Sequence, residues 1–427
     1  MQMNPFLATV LLVLTLPVFA KDAPAGDRSN SAASQVGISV DALNQLSSVL
    51  QSYVDDERLA GAVVLVARKG QRVYLESFGH RDRELDEKME TDNIFRIASQ
   101  TKALISVGIM MLQEQGQLLI SDPLSHYLPA FQNTTVAVPS TDGEYLVLPA
   151  ERPITLRDLL THTAGIGYGA GPAEVKWQQA NITGWYFADR DEPIGDTVNR
   201  MAALPFDAQP GERMVYGYST DILGAVIEQV SGQSLAQFLR TQILDPLQMN
   251  DTHFYLPPTK RHRLAAVYSL TEDQSLIRAP DPGGMIGQGA YLDGPRMSYS
   301  GGAGLLSTAN DYGRFLQMML NGGELDGVKL LSRKSVELMT TDHVGDIANA
   351  FLGNGVGFGL GFYVVTDLGA RGQPGSVGEY GWGGAYHSSY WVDPEEELVV
   401  VYLSQLIPGP DRTDQDKLRA LVYSALE

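Results

Sequence analysis

The sequence contains no cysteine. That absence excludes a disulfide framework, a thiolate nucleophile, a zinc–thiolate site and a lipid-modified cysteine. Positive charge is also scarce: 31 Lys and Arg stand against 50 Asp and Glu, a formal net charge of −19 at pH 7. Such a surface repels phosphate backbones and anionic lipid, so nucleic acid is not an expected partner. After the first twenty residues no long apolar run remains, and a membrane-spanning helix needs about 20 apolar residues, so stable membrane insertion is not expected. The pattern Gly-x-Ser-x-Gly is missing too, which removes the strained nucleophile turn of the α/β-hydrolases.

What is present is the composition of a globular enzyme, 44% hydrophobic and 19% charged. At 427 residues the chain exceeds the roughly 250 to 300 at which one hydrophobic core stops growing, so two lobes are expected. Residues 1–20, "MQMNPFLATVLLVLTLPVFA", form an apolar stretch of signal-peptide length that ends in small residues, with cleavage expected after Ala20. Export to the periplasm or the medium is the expectation, and the lack of cysteine suits it. Residues 21–38 are small and polar and are expected to be a disordered lead-in.

Beyond Ser39, an N-cap candidate, Leu43, Leu46, Leu50 and Tyr53 recur at helical spacing. Two β-rich runs meet at Lys69-Gly70, a hairpin signal. A helix over 99–117 is apolar on every face and should lie at the centre of the protein. Short helical patterns fill 118–300, and strand patterns return in "GFGLGFYVV", "YHSSYWVD" and "ELVVVYLSQ" before a last helix after Pro410. This order predicts a mixed α/β (α+β) lobe from 39–117 and 301–427, with antiparallel pairing, split by a mainly helical lobe over 118–300.

Three stretches could carry chemistry. In "SQTK", Ser99 and Lys102 stand three apart at the mouth of the apolar helix, so they share a face and the amine can reach the hydroxyl. A serine needs a base to become a nucleophile, and lysine serves only when its amine is neutral, which burial promotes. The bland alternative is a helix cap beside a lysine reaching to solvent; but this Ser-x-x-Lys heads the most apolar helix of the chain. In "VYGYSTDILG", Tyr216 sits in a turn before a helix, where a phenol can relay a proton, with Tyr218 as a competitor for the role. In "GEYGWGGAYHSSYWVD", the glycines around Trp382 allow close backbone approach, so the N–H of Ala385 is a candidate oxyanion donor. A glycine bulge on an edge strand is the plain alternative there, and a lone strand histidine such as His387 is more often structural.

Taken in order, the three motifs resemble the class C β-lactamase-like serine hydrolase superfamily. The blocks "DPLSHYLPAF" (122–131), "ITLRDLLTHTAGI" (154–166), "GGAGLLSTANDYGRF" (301–315) and "GFGLGF" (357–362) extend the resemblance over nearly the whole mature chain. It implies a β-lactamase/penicillin-binding-protein-like fold, a central antiparallel sheet flanked by helices plus an all-helical lobe, with the site between them. It further implies Ser99 as acylated nucleophile, Lys102 as base, Tyr216 as the family tyrosine, and an oxyanion hole from the N–H groups of Ser99 and Ala385. Trp382, Gly383, Gly384 and Tyr218 would border the substrate, and neither metal nor organic cofactor is needed.

Two departures shift the expected activity. Position 218 holds Tyr where the family has Asn, and the third motif is Trp382-Gly383-Gly384 with no lysine. Family β-lactamases use that lysine beside the substrate carboxylate, so the resemblance points to the carboxylesterase and acyltransferase branch. The expected substrate is a small ester or amide, cleaved through an acyl-enzyme. The alternatives are a D-amino-acid peptidase or DD-carboxypeptidase, a weak β-lactamase, and an inactive peptidoglycan-binding relative.

Overall fold

A computed structural model describes residues 33–140, 143–409 and 413–427. The expected signal segment 1–20 and residues 21–32 of the lead-in lie outside the described residues. Residues 33–38 differ from the disordered lead-in. Ala33, Val36 and Ile38 are buried, and Ile38 bridges Leu426 in antiparallel sense. Their partner is the far end of the chain, which local composition does not reveal.

Eight strands form one antiparallel sheet: β1 (Gly61–Arg68), β2 (Gln71–Asp82), β3 (Glu87–Lys88), β4 (Val356–Phe358), β5 (Tyr363–Val365), β6 (Tyr380–Gly384), β7 (Ser388–Asp393) and β8 (Leu398–Ser404), in the spatial order β4-β5-β6-β7-β8-β1-β2-β3. The β1–β2 turn is Lys69-Gly70, both at positive φ (49° and 73°), the geometry a tight hairpin between right-twisted strands requires. Strands β1 and β8 are buried along their whole length, because the sheet is covered on both faces. The two-residue alternation divides their side chains. Val63, Leu65, Val399 and Val401 join one core, while Val64, Val66, Val400 and Tyr402 join the other.

The second of these cores is closed by α1 (Val40–Asp55), where Ser39 caps the N-terminus and Leu43, Leu46, Leu50 and Tyr53 turn inward as the spacing predicted. The first core contains α2 (Thr101–Glu114), buried at every position from Thr101 to Leu112. It packs on α3 (Ser219–Ser231) and shares its core with α4 (Ala309–Leu320), while α5 (Thr413–Ser424) lies with α1 on the other face. The apolar helix ends at Glu114, short of the 117 expected, and Gly116 at φ +69° turns the chain out.

The segment 118–300 is largely short helices and loops, but it also holds two hairpins, Thr135–Pro139 with Tyr145–Pro149 and Tyr268–Leu270 with Leu276–Arg278. Helix α3 ends at Gly232, a left-handed cap at φ +68°, and a further helical stretch begins at Leu235. No helix of the described residues is long and apolar enough to cross a membrane.

Candidate active site

The chain reaches the Ser-x-x-Lys motif through a short strand pair, Phe95–Arg96 against Leu306–Ser307. Arg96 is almost fully buried, its guanidinium donating to the carbonyls of Ala265 (2.6 Å) and Gln288 (2.8 Å) and to the Gln405 side-chain Oε1 (3.1 Å), which fixes the approach. Ala98 then takes φ +42°, a conformation rare for a residue with a Cβ, and residues 98–100 make a single 3₁₀ turn before α2 begins. Ser99 therefore stands just ahead of the α-helix rather than inside it.

Lys102, on the first turn of α2, is only 2% exposed. Its Nζ donates to the carbonyl of Gly302 (2.7 Å), the hydroxyl of Tyr168 (3.1 Å) and the Oγ of Ser99 (3.2 Å). The amine also lies 4.7 Å from the centroid of the Tyr216 ring, over its face. So the lysine meets Tyr216 through the ring, and the hydroxyl it reaches belongs to Tyr168. Tyr168 went unsingled by sequence reasoning; its one signal is its place two residues after the block "ITLRDLLTHTAGI". Burial pushes its phenol well above the usual range, and Tyr216, Asp221 and Tyr218 push in the same direction.

The hydroxyl of Tyr216 is held from the other side. It accepts the indole N–H of Trp382 at 2.9 Å, so two separate motifs of the sequence meet here. His162 packs beneath the Tyr216 ring with centroids 4.5 Å apart, and burial holds its imidazole well below the usual histidine range. Phe351 stacks on Tyr216 at 5.6 Å and is 51% exposed, forming an aromatic rim with Trp382. Phe358 meets Trp382 edge-on at 5.3 Å.

Tyr218 is placed elsewhere. It was expected at the substrate, yet it is fully buried, its hydroxyl donating to the Gly184 carbonyl (2.8 Å) and its ring stacked on Trp177 at 5.7 Å. The reason lies in Gly217: a Cβ there would fall 2.2 Å from the Ile166 carbonyl oxygen. The backbone of 216–218 is pressed against 166–167, so Tyr216 and Tyr218 part to different environments.

Trp382, Gly383 and Gly384 end strand β6, and all three remain partly exposed, as do Ser99 and Ala385. A Cβ on Gly384 would stand 2.5 Å from the carbonyl oxygen of Ile97, so the strand end abuts the backbone just ahead of the nucleophile. Among the described residues no hydrogen bond joins the N–H of Ser99 or of Ala385 to a protein acceptor. His387 turns away. Its Nε2 lies 2.9 Å from both carboxylate oxygens of Asp414 on α5, a buried structural pair. The described residues contain no group of acidic and histidine side chains that could hold a metal ion.

A serine within reach of a buried lysine, with two phenols beside the pair and free amides at a strand end, is an acyl-transfer constellation. The family model "Beta-lactamase" matches residues 46–424. The chain belongs to that family. Among curated relatives it is 30% identical to Esterase EstB of Burkholderia gladioli over 374 residues, 84% of this chain and 89% of the other. It is likewise 30% identical to Lovastatin esterase of Penicillium rubens, covering 85% of this chain and 92% of that one. Among solved structures it resembles "EstCE1, a hydrolase with promiscuous acyltransferase activity", with TM-score 0.79, 30% identity, and 92% and 99% of the two chains covered. The fold is thus β-lactamase/penicillin-binding-protein-like, and the protein is a β-lactamase-related serine hydrolase of the carboxylesterase-like type.

Proposed function

We propose that this enzyme hydrolyses small esters through an acyl-enzyme on Ser99. The observation that carries the reading is the set of contacts around Lys102, an amine removed from water whose reach includes the Ser99 hydroxyl. Ser99 Oγ attacks the ester carbonyl and passes its proton to Lys102. The tetrahedral oxyanion is received by the N–H groups of Ser99 and Ala385. As the intermediate collapses, the proton moves through the phenols beside Lys102 to the leaving alcohol, and water then attacks the acyl-enzyme by the same route in reverse.

Trp382 favours an ester over a carboxylate-bearing β-lactam. It places an apolar ring, with Phe351 beyond it, where a charged amine would be needed to pair with an anionic substrate. The esterase relatives support the same substrate class. Export through residues 1–20 forms part of the proposal, as does the absence of any nucleic-acid partner.

The test compares mature wild type with Ser99→Ala on p-nitrophenyl acetate, butyrate and octanoate, with a chromogenic cephalosporin and a D-alanyl dipeptide alongside. Turnover of the esters by wild type alone is expected. Preference for the cephalosporin or the dipeptide would transfer the enzyme to the lactamase or carboxypeptidase side of its family. Activity surviving in Ser99→Ala would remove the nucleophile from the scheme.

A further inference from the structure

Asp221 sits in the first turn of α3, fully buried, and the scheme above gives it no task. A buried carboxylate is costly unless it is paired or protonated, so its surroundings call for a reason. Among the described residues no basic side chain approaches within 4.0 Å of it. Two neutral donors serve Oδ1 alone: the hydroxyl of Ser300 at 2.6 Å and the backbone N–H of Gly302 at 3.0 Å. The other oxygen, Oδ2, has no hydrogen-bond partner.

Gly302 is the link. Its N–H donates to Asp221, and its carbonyl accepts the Lys102 amine at 2.7 Å. A Cβ at position 302 would stand 2.4 Å from Asp221 Oδ2, so only glycine lets the carboxylate lie against this loop. One residue therefore separates the buried acid from the buried amine, with a polarised backbone between them.

We propose that Asp221 is a positioning residue of the reaction, the buried counter-charge that, through Gly302, orients Lys102 and stabilises the ammonium formed when Lys102 takes the proton of Ser99. The proposal rests on the reading of Lys102 as base. When the proton moves from Ser99 Oγ to Lys102 Nζ, a positive charge is created on a side chain almost closed to water. With Asp221 ionised, amine and acid together become neutral at that moment; without it, an ammonium is left facing only dipoles.

Tyr168 and Tyr218 face Asp221, and Tyr216 and His162 face Lys102; Arg190 acts on Tyr218. Burial raises the Asp221 carboxyl above its usual range, while Ser300, Lys102 and Gly302 oppose that rise.

The experiment is the pH dependence of kcat/KM on p-nitrophenyl butyrate for wild type, Asp221→Asn and Ser300→Ala, each checked by melting temperature. The acid limb reports the ionisation on which attack by Ser99 depends. Removing the nearby anion disfavours the ammonium, so in Asp221→Asn the limb is expected to move to lower pH by about one unit. The plateau should fall at least about tenfold, because acid–base catalysis as a whole contributes about 10² to 10⁴. Ser300→Ala weakens the carboxylate without removing it and should move the limb the same way by less.

An acid limb left at its wild-type position in both variants overturns the proposal, whatever happens to the plateau, since a merely structural aspartate would lower activity without moving it. If Asp221→Asn does not fold, an unmoved limb in Ser300→Ala overturns it alone. Failure of the underlying reading is separate: it would be seen as turnover surviving in Ser99→Ala.

Discussion

The indole N–H of Trp382 donates to the phenolic oxygen of Tyr216 at 2.9 Å, and the two rings lie 5.3 Å apart. The residue that replaces the expected lysine thus does more than occlude an anion site: it fixes the hydroxyl nearest the aromatic rim. Trp382→Phe keeps a ring and loses the donor. A neutral hydrogen bond contributes about 1 kcal/mol, so kcat for p-nitrophenyl butyrate should fall about fivefold with KM little changed. Stopped-flow measurement of the acylation burst checks it, and an unchanged kcat would show that Tyr216 does not need this anchor.

Tyr168 carries the hydroxyl that Lys102 reaches, at 3.1 Å. Its ring also packs edge-on against Tyr216 (5.9 Å) and Tyr218 (5.1 Å), contacts that phenylalanine retains. Tyr168→Phe is therefore expected to fold normally and to acylate more slowly by about 10²-fold, the lower end of what a proton-transfer group contributes. Rates of p-nitrophenol release in Tyr168→Phe and Tyr216→Phe, measured side by side, will rank the two phenols.

How much of this site could be read from the sequence depended on whether the signal was local. Ser99 and Lys102 are three residues apart, a spacing short enough to bring them together even though Ser99 lies in the 3₁₀ turn ahead of the helix. The central sheet and the buried α2 were equally legible, because alternating and all-apolar runs declare themselves within a few residues. Tyr168 and Tyr218 were not. Which of two tyrosines enters a cleft is decided by Gly217 lying against the backbone of 166–167, a tertiary contact without local sequence signature. The same holds for Asp221, whose significance appears only once Gly302 is brought beside it, and for Ala33, Val36 and Ile38, which pack near the opposite chain end.

His253 gives a pH dependence to stability. It lies between Arg240 and Lys260, 3.1 Å from each, and burial together with these two cations lowers its titration to about 3. An unfolded histidine takes its proton near pH 6.5. The folded state thus binds fewer protons below 6.5, and stability present above that value is lost progressively as pH falls toward 3. At pH 5 this side chain alone should cost about 2 kcal/mol relative to pH 8. In His253→Gln the difference in melting temperature between pH 8 and pH 5 should shrink. An unchanged difference would mean that the acid sensitivity originates at other groups.

Gly384 joins the fold to the chemistry most directly. It is the last residue of β6, one position before Ala385, and a methyl group on it would stand 2.5 Å from the Ile97 carbonyl oxygen and 2.6 Å from the Ser388 Oγ. Neither neighbour can retreat easily. The Ile97 N–H is bonded to the Leu305 carbonyl at 3.1 Å, and Ser388 is buried in the sheet beside Gly384. Gly384→Ala must therefore push the strand end away from residues 97–99, which separates the Ala385 amide from the Ser99 amide while leaving β7, β8 and β1 in register. Losing one oxyanion donor costs about 10² to 10³ in kcat. The variant should accordingly bind p-nitrophenyl butyrate with near-normal KM, melt close to wild type, and turn over at least about 10²-fold more slowly. Were kcat to survive, the oxyanion would have to be held by donors other than the Ala385 amide, because no arrangement of the present backbone admits the extra carbon without moving it.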